Sequence, residues 1–207
     1  MNRLIFRFFV FLPFCFFHFC HSAFAQLNKN TQDSPHFVYQ SSVSLNYGIG
    51  KNYSLHDTFP NSNLSFEFQQ LLAYQFNSYF FTGVGAGLDV WFCEKKVSTF
   101  IPIFANATVK FINKKLAPFM FANVGYAFKW QVQKKIDEKT FYGTKAGIYF
   151  QTGLGLSVRF SEKLSLLLSA NYKLQQSAIQ SRENDFLLAQ TKNQLFHSVG
   201  IKLGLLY

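Results

Sequence analysis

Long apolar runs are missing from most of this chain. No window beyond residue 20 reaches 18 consecutive apolar residues, which excludes a helical membrane protein although 49% of the 207 residues are hydrophobic. Cysteine is scarce as well. Of three, Cys15 and Cys20 fall within an N-terminal export signal, leaving Cys93, so neither an intramolecular disulfide nor a cysteine metal site can form. Charged residues make up only 14%, with Lys and Arg outnumbering Asp and Glu by 20 to 10. The formal charge of +10 is scattered, without the compact basic cluster that nucleic-acid binding requires, and no nucleic-acid partner is expected. No acidic cluster suggests calcium, no His/Cys/Asp spacing suggests a structural metal, and no cofactor is expected.

What is present begins with that signal. Asn2 and Arg3 precede a run rich in Phe, Leu and Val from Leu4 to Cys20, and Ala23-Phe24-Ala25 makes a small-x-small cleavage site. Residues 1–25 are therefore expected to be removed, leaving a short polar leader over 26–36. Loss of Arg3 and Arg7 would lower the charge from +10 to about +8.

From residue 37 to 207 polarity alternates with a period of two, most clearly over Lys145–Phe160. Eight segments follow this rule: Phe37–Gly50, Leu64–Asn77, Phe80–Phe92, Val97–Ile112, Leu116–Val132, Gly143–Phe160, Leu164–Gln175 and Leu195–Leu206. Each is long enough for a tilted strand to cross a bilayer, which takes about 9–11 residues. One face of each strand is apolar, and no Asp, Glu, Lys or Arg intrudes on it. A charge at the bilayer midplane would cost about 2–4 kcal/mol, so the absence fits a face turned to lipid. The pattern predicts an all-β fold, an eight-stranded antiparallel transmembrane up-and-down β-barrel over 37–207.

The opposite faces carry Glu67, Asp89, Lys110, Lys129, Lys145, Arg159, Lys173 and Lys202 among Gly, Ser, Gln and Asn. Buried charges need partners or water. Glu67 and Asp89 are therefore expected in a shared ion-pair network, and the surplus basic residues near the barrel ends, where water reaches them. Eight strands enclose just enough room for side chains. The inward glycines 83, 85, 87, 147, 153 and 155 are expected to pack against Phe104, Phe119, Phe121 and Tyr149, filling the lumen.

The links between segments alternate in length. Asn77-Ser78-Tyr79, Asn113-Lys114-Lys115 and Ser161-Glu162-Lys163 are hairpin-sized, whereas 51–63, Cys93–Lys96, 133–142 and 176–194 are longer. In outer-membrane barrels short turns face the periplasm and longer loops face outside, which puts both chain ends in the periplasm. That orientation sorts the lipid-face aromatics into two girdles. Tyr39, Tyr74, Phe76, Phe80, Phe111, Phe160 and Tyr207 would lie at the periplasmic interface, and Tyr47, Phe66, Phe92, Phe128 and Trp130 at the outer one.

No catalytic residues are expected. Hydrolytic or acyl-transfer chemistry needs a nucleophile held by a base. His56-Asp57 falls in a polar loop, and His197 and Ser198 point to opposite faces of a strand. A lipid-modifying enzyme and a narrow pore are the alternatives to a structural or partner-binding barrel.

With the signal, the alternation and the loop rhythm in view, the chain resembles the small eight-stranded outer-membrane barrels of Gram-negative bacteria, OmpA- and OmpX-like. It looks most like the outer membrane protein beta-barrel domain family common in Bacteroidetes, which includes the PorT-like proteins. The resemblance rests on Ala23-Phe24-Ala25-Gln26, Gly83-Val84-Gly85-Ala86-Gly87-Leu88 and Gly153-Leu154-Gly155-Leu156-Ser157-Val158. The terminal Leu205-Leu206-Tyr207 is similar to the signal read by the barrel-assembly machinery, where Phe is the commoner last residue. The resemblance implies a non-enzymatic integral protein of the cell outer membrane. Its implied partners are outer-membrane lipid, the assembly machinery during biogenesis, and an envelope or secretion-complex protein.

Overall fold

A computed structural model describes residues 35–49, 51–53, 58–60, 63–93, 96–130, 141–161, 164–181 and 190–207. Eleven strands run in chain order: β1 His36–Ile49, β2 Lys51–Tyr53, β3 Thr58–Pro60, β4 Leu64–Gln75, β5 Phe80–Cys93, β6 Lys96–Lys110, β7 Leu116–Trp130, β8 Phe141–Lys145, β9 Gly147–Arg159, β10 Ser165–Ser181 and β11 Gln190–Leu206. Strand β8 is separated from β9 by Ala146 alone and pairs with the far end of β10, so the two form one interrupted stave. The short β2–β3 pair forms a separate hairpin. Eight staves remain, each antiparallel to its chain neighbours, and β11 pairs with β1 to close the ring.

The ring is staggered. Hydrogen-bonded partners lead from Leu206 to Gln40, Leu71, Gly85, Phe104, Gly125, Tyr149 and Gln175, and return to β11 at Phe196. The return point is ten residues from the start. Such a shear tilts the strands by about 40° from the axis and leaves an interior that side chains can fill.

Alternation decides which side chains go where. On β1 every second residue from Ser42 is buried and those between are exposed, and the other staves repeat the rule. The outward face carries Leu45, Val84, Ile103, Val124, Leu154 and Ile201, each at least half exposed, which is an arrangement for lipid rather than water. Outward polar groups are tied down locally. Thr152 Oγ1 donates to the Phe121 carbonyl at 2.9 Å, Thr82 does the same to Asn106, and Ser41 Oγ donates to Gln70 Oε1 at 3.0 Å. In lipid each such group needs a protein partner.

One seam is imperfect. Partners from Phe80↔Val109 to Ala86↔Ile103 are continuous, then resume at Asp89↔Phe100. The Lys110 amide donates to the Tyr79 carbonyl, and carrying that alternation along the seam puts the Gly87 carbonyl opposite Pro102, which has no N–H to offer.

The three links read as hairpin-sized lie at one end, while at the other end Cys93 pairs with Lys96 and β5 and β6 are joined by residues 94–95 alone, so that link is not one of the longer ones. In the first of the three, Asn77 Oδ1 accepts from the Tyr79 and Phe80 amides, each at 2.9 Å, the side-chain mimic of a turn. At the other end the strands run further than polarity suggests. The segment expected to form a loop over 176–194 is largely paired wall, from Gln176↔Leu195 to Ser181↔Gln190. Likewise the stretches 51–63 and 133–142 contain β2, β3 and the start of β8. Strand β1 begins at His36, inside the stretch read as leader. The expected signal, residues 1–25, and leader residues 26–34 lie outside the described residues, as does His56.

Candidate functional site

The inward faces meet in a polar belt to which all eight staves contribute. Its centre is Lys173 on β10, fully buried, whose Nζ lies 2.8 Å from Asp89 Oδ2 on β5 and 3.6 Å from Glu67 Oε2 on β4. Glu67 also accepts from Tyr149 Oη at 2.9 Å, Gln69 Nε2 at 3.0 Å, Gln151 Nε2 at 3.2 Å and Ser44 Oγ at 3.2 Å. Asp89 Oδ2 takes a second hydrogen bond from Trp91 Nε1 at 2.7 Å. Lys202 on β11 donates to Gln69 Oε1 at 2.7 Å and Gln151 Oε1 at 2.6 Å. Asn106, Asn123 and Asn171 extend the belt through β6, β7 and β10, the last by donating to Asn46 Oδ1 on β1 at 2.8 Å. Two carboxylates and two ammonium groups thus sit together without exposure to solvent. Burial is tolerable for them because each charge meets an opposite charge or several oriented dipoles.

Aromatic layers lie on both sides of the belt. Toward the long-loop end, Trp91 packs tilted against Phe196 with ring centroids 5.2 Å apart, and Phe100 meets Phe196 edge-on at 6.2 Å. Lys173 Nζ sits 4.9 Å from the Trp91 ring and Lys129 Nζ 5.7 Å from Phe100. Toward the short-turn end, Phe104, Phe119 and Phe121 lie over glycines. A Cβ on Gly85 would stand 2.5 Å from Phe104 Cζ, and one on Gly153 2.7 Å from Phe121 Cε1, so the rings occupy space that any side chain would take. Lys202 caps Phe121 at 4.6 Å. Between belt and rings is a cavity of about 20 Å3 lined by residues including Gln40, Gln69, Asn123, Ser169 and Lys202. That is room for about one water.

The eight charged positions of the inner face separate into groups. Glu67, Asp89, Lys173 and Lys202 come together. Lys110 and Arg159 stand at the short-turn mouth, where Lys110 Nζ is 5.9 Å from the Phe81 ring and Arg159 Nη2 donates to Asn113 Oδ1 at 2.7 Å. Lys129 lies on the long-loop side, and the Lys145 side chain is outside the described residues. Lys202 departs from the expectation that surplus lysines sit at the ends. It is only four residues before Leu206, but the stagger raises it to the level of the belt.

Trp91, Phe81, Phe100 and Phe196 are further inward aromatic residues, beyond Phe104, Phe119, Phe121 and Tyr149. Their signal was available, since each has the parity of the polar face. Gln175 and Ser198 are fully buried on the same side, and neither Gln175 amide atom nor Ser198 Oγ has a hydrogen-bond partner within the described protein. His197 points outward, with Nδ1 2.5 Å from Tyr172 Oη, and is not directed at Ser198.

Of the aromatics assigned to girdles, Tyr39 and Tyr207 meet at 5.2 Å, Tyr74 and Phe76 at 5.0 Å, and Phe76 and Phe80 at 5.7 Å, all near the short turns. Phe111 and Phe160 are exposed at the same end. Tyr47, Phe66, Phe92, Phe128 and Trp130 are exposed on the outward face toward the other end. Among the described residues, no group of three His, Cys, Asp or Glu side chains is placed to hold a metal, and no helix is long and apolar enough to cross a membrane.

A closed ring of eight antiparallel strands with an apolar exterior and a polar, filled interior defines a transmembrane β-barrel of the kind typical of outer-membrane proteins. No family model matches the chain, and no curated protein matches it. Among solved structures it is similar to the outer membrane protein OprG from Pseudomonas aeruginosa, with a TM-score of 0.57 over 86% of this chain and 99% of that one, at 8% identity. Neisserial surface protein A matches over 82% and 98% of the two chains at 13% identity and a TM-score of 0.49. The outer membrane enzyme PagL matches over 79% and 97% at 13% identity and a TM-score of 0.46. At these identities the likeness to OprG is one of fold.

Proposed function

We propose that this protein is a non-enzymatic, sealed barrel of the outer membrane, structural or partner-binding in role, and accessory to protein secretion if the PorT-like resemblance holds. The observation that carries the reading is the lumen. Trp91, Phe100, Tyr149, Lys173, Glu67 and Asp89 are fully buried across its width, and the neighbouring cavity has room for about one water. Solute transport needs a continuous wet path, and this section of the barrel is occupied by interlocked side chains. The short turns belong in the periplasm on this reading, with both chain ends, and the longer connections outside, where a partner would meet them. Processing after Ala25 and insertion by the barrel-assembly machinery complete the proposal.

Planar-bilayer recording tests the seal. The expected result is an absence of discrete conductance steps from the folded full chain. Reproducible steps of fixed size would overturn the sealed reading in favour of a pore. The partner role is tested by crosslinking from the 133–142 and 182–189 connections in intact cells. A barrel that crosslinks to nothing, and tolerates their deletion without a change in envelope integrity, would remove it.

A further inference from the structure

Both acidic side chains among the described residues, Glu67 and Asp89, are fully buried in the lumen. The described cations at the short-turn end therefore have no described acidic side chain beside them, and they are not spread around the rim. The first short hairpin, Asn77-Ser78-Tyr79, is uncharged, whereas Lys110, Lys114, Lys115 and Arg159 all belong to the β6–β7 and β9–β10 hairpins. Those hairpins are neighbours. Leu116 pairs with Val158, the Arg159 amide donates to the Lys115 carbonyl at 2.8 Å, and Arg159 Nη2 donates to Asn113 Oδ1 at 2.7 Å. Arg159 is thereby held against the turn that carries Lys114 and Lys115, both exposed. Lys110 adds a fourth positive charge from the mouth of the lumen. Glu162 and Lys163, in the β9–β10 turn, lie outside the described residues and cancel in formal charge.

Directly beside these cations the wall is apolar and open. Phe111, Ile112, Leu116, Phe160 and Leu164 are exposed on the same sector, with Phe160 at 64%. A molecule that fits this surface has acyl chains for the wall and a negative group at the level where the chains end. We infer that the β6–β7 hairpin and the adjoining end of β9 bind the headgroup phosphate of an anionic phospholipid, with Arg159, Lys114 and Lys115 as the contacting groups and Lys110 strengthening the field. The inference rests on the transmembrane reading of the barrel and holds whichever compartment the short turns face.

The test reconstitutes the full chain into nanodiscs of phosphatidylcholine with and without phosphatidylglycerol. Lipids retained after transfer to detergent are then counted by native mass spectrometry. Wild type is expected to keep phosphatidylglycerol in preference to phosphatidylcholine. Lys114→Gln and Lys115→Gln, at exposed turn positions, are each expected to reduce that preference about fivefold, and Arg159→Gln to reduce it as well. The preference is also expected to fall with added salt in the unaltered protein, a reading independent of any variant. Equal retention of the two lipids, or retention unchanged by the substitutions, would overturn the inference. Displacement of the lipid by inorganic phosphate would overturn it too, by making the site one for a soluble anion. A chain that fails to fold in either lipid would instead count against the barrel reading itself.

Discussion

Removing the Lys173 ammonium would leave two carboxylates buried 84 and 106 residues away in sequence without their shared counter-charge, a situation worse than having no charges at all. Lys173→Met is therefore expected to lower stability by about 3–5 kcal/mol. The triple variant Lys173→Met, Glu67→Gln, Asp89→Asn is expected to lose less than the single one. Urea unfolding in lipid vesicles, followed by tryptophan fluorescence, measures both, and a triple variant weaker than the single would contradict the network. Gly85 gives a second case. Gly85→Ala puts a methyl into the Phe104 ring and is expected to cost about 1–3 kcal/mol by overpacking, with only partial recovery in the Gly85→Ala, Phe104→Leu double variant by the same assay, because the Gln70 carbonyl oxygen, 2.7 Å from the new Cβ, stays in place. Much of this site was legible residue by residue, because strand parity assigns a side chain to lumen or lipid without further information. Parity does not assign height. Residues level in space are offset along the chain by the stagger of the ring, so Lys202 reads as an end residue and meets Gln69 and Gln151 in the middle.

Among the strands, the weakest join is expected between β5 and β6. Pro102 faces a backbone carbonyl that it cannot serve, in a lipid-facing wall where water cannot serve it either. Pro102→Ala restores the donor and is expected to raise stability by about 1 kcal/mol. It should also slow hydrogen exchange at Gly87 to Asp89, measured by mass spectrometry in nanodiscs, and unchanged exchange there would refute the assignment. All eight staves were legible in the sequence where they cross lipid, since the bilayer demands an uncharged face and the alternation is the record of that demand. It fades beyond the membrane. Ser177, Gln180, Thr191 and Asn193 need no apolar face, so polarity suggests a loop while the backbone pairing of β10 with β11 continues. The reverse holds at Pro102, where an inward proline left the alternation intact and only the pairing shows the break.

The molecule as a whole is closed by a few large side chains, and opening it should require few changes. Trp91→Ala with Phe196→Ala removes the two rings that pack 5.2 Å apart on the long-loop side of the belt. If these rings and the belt form the seal in series, that double variant alone is expected to remain non-conducting. Adding Tyr149→Ala, which also strips a donor from Glu67, is expected to produce conductance steps in planar bilayers. Steps from the double variant would show the belt to be permeable by itself. The belt has a further consequence for how the protein comes to exist. Its two negative charges belong to the N-terminal half of the chain, on β4 and β5, and its two positive charges to the C-terminal half, on β10 and β11. At the level of the belt, a sheet that lacks β10 and β11 therefore holds two negative charges without their partners, while Lys110 and Lys129 on β6 and β7 lie nearer its ends. Opposite charge on the two parts is expected to favour docking of β10 and β11 on the face of the sheet that becomes the interior. Supplied as two separate polypeptides, such halves should recognise each other, and reversing the sign on one of them should abolish the recognition.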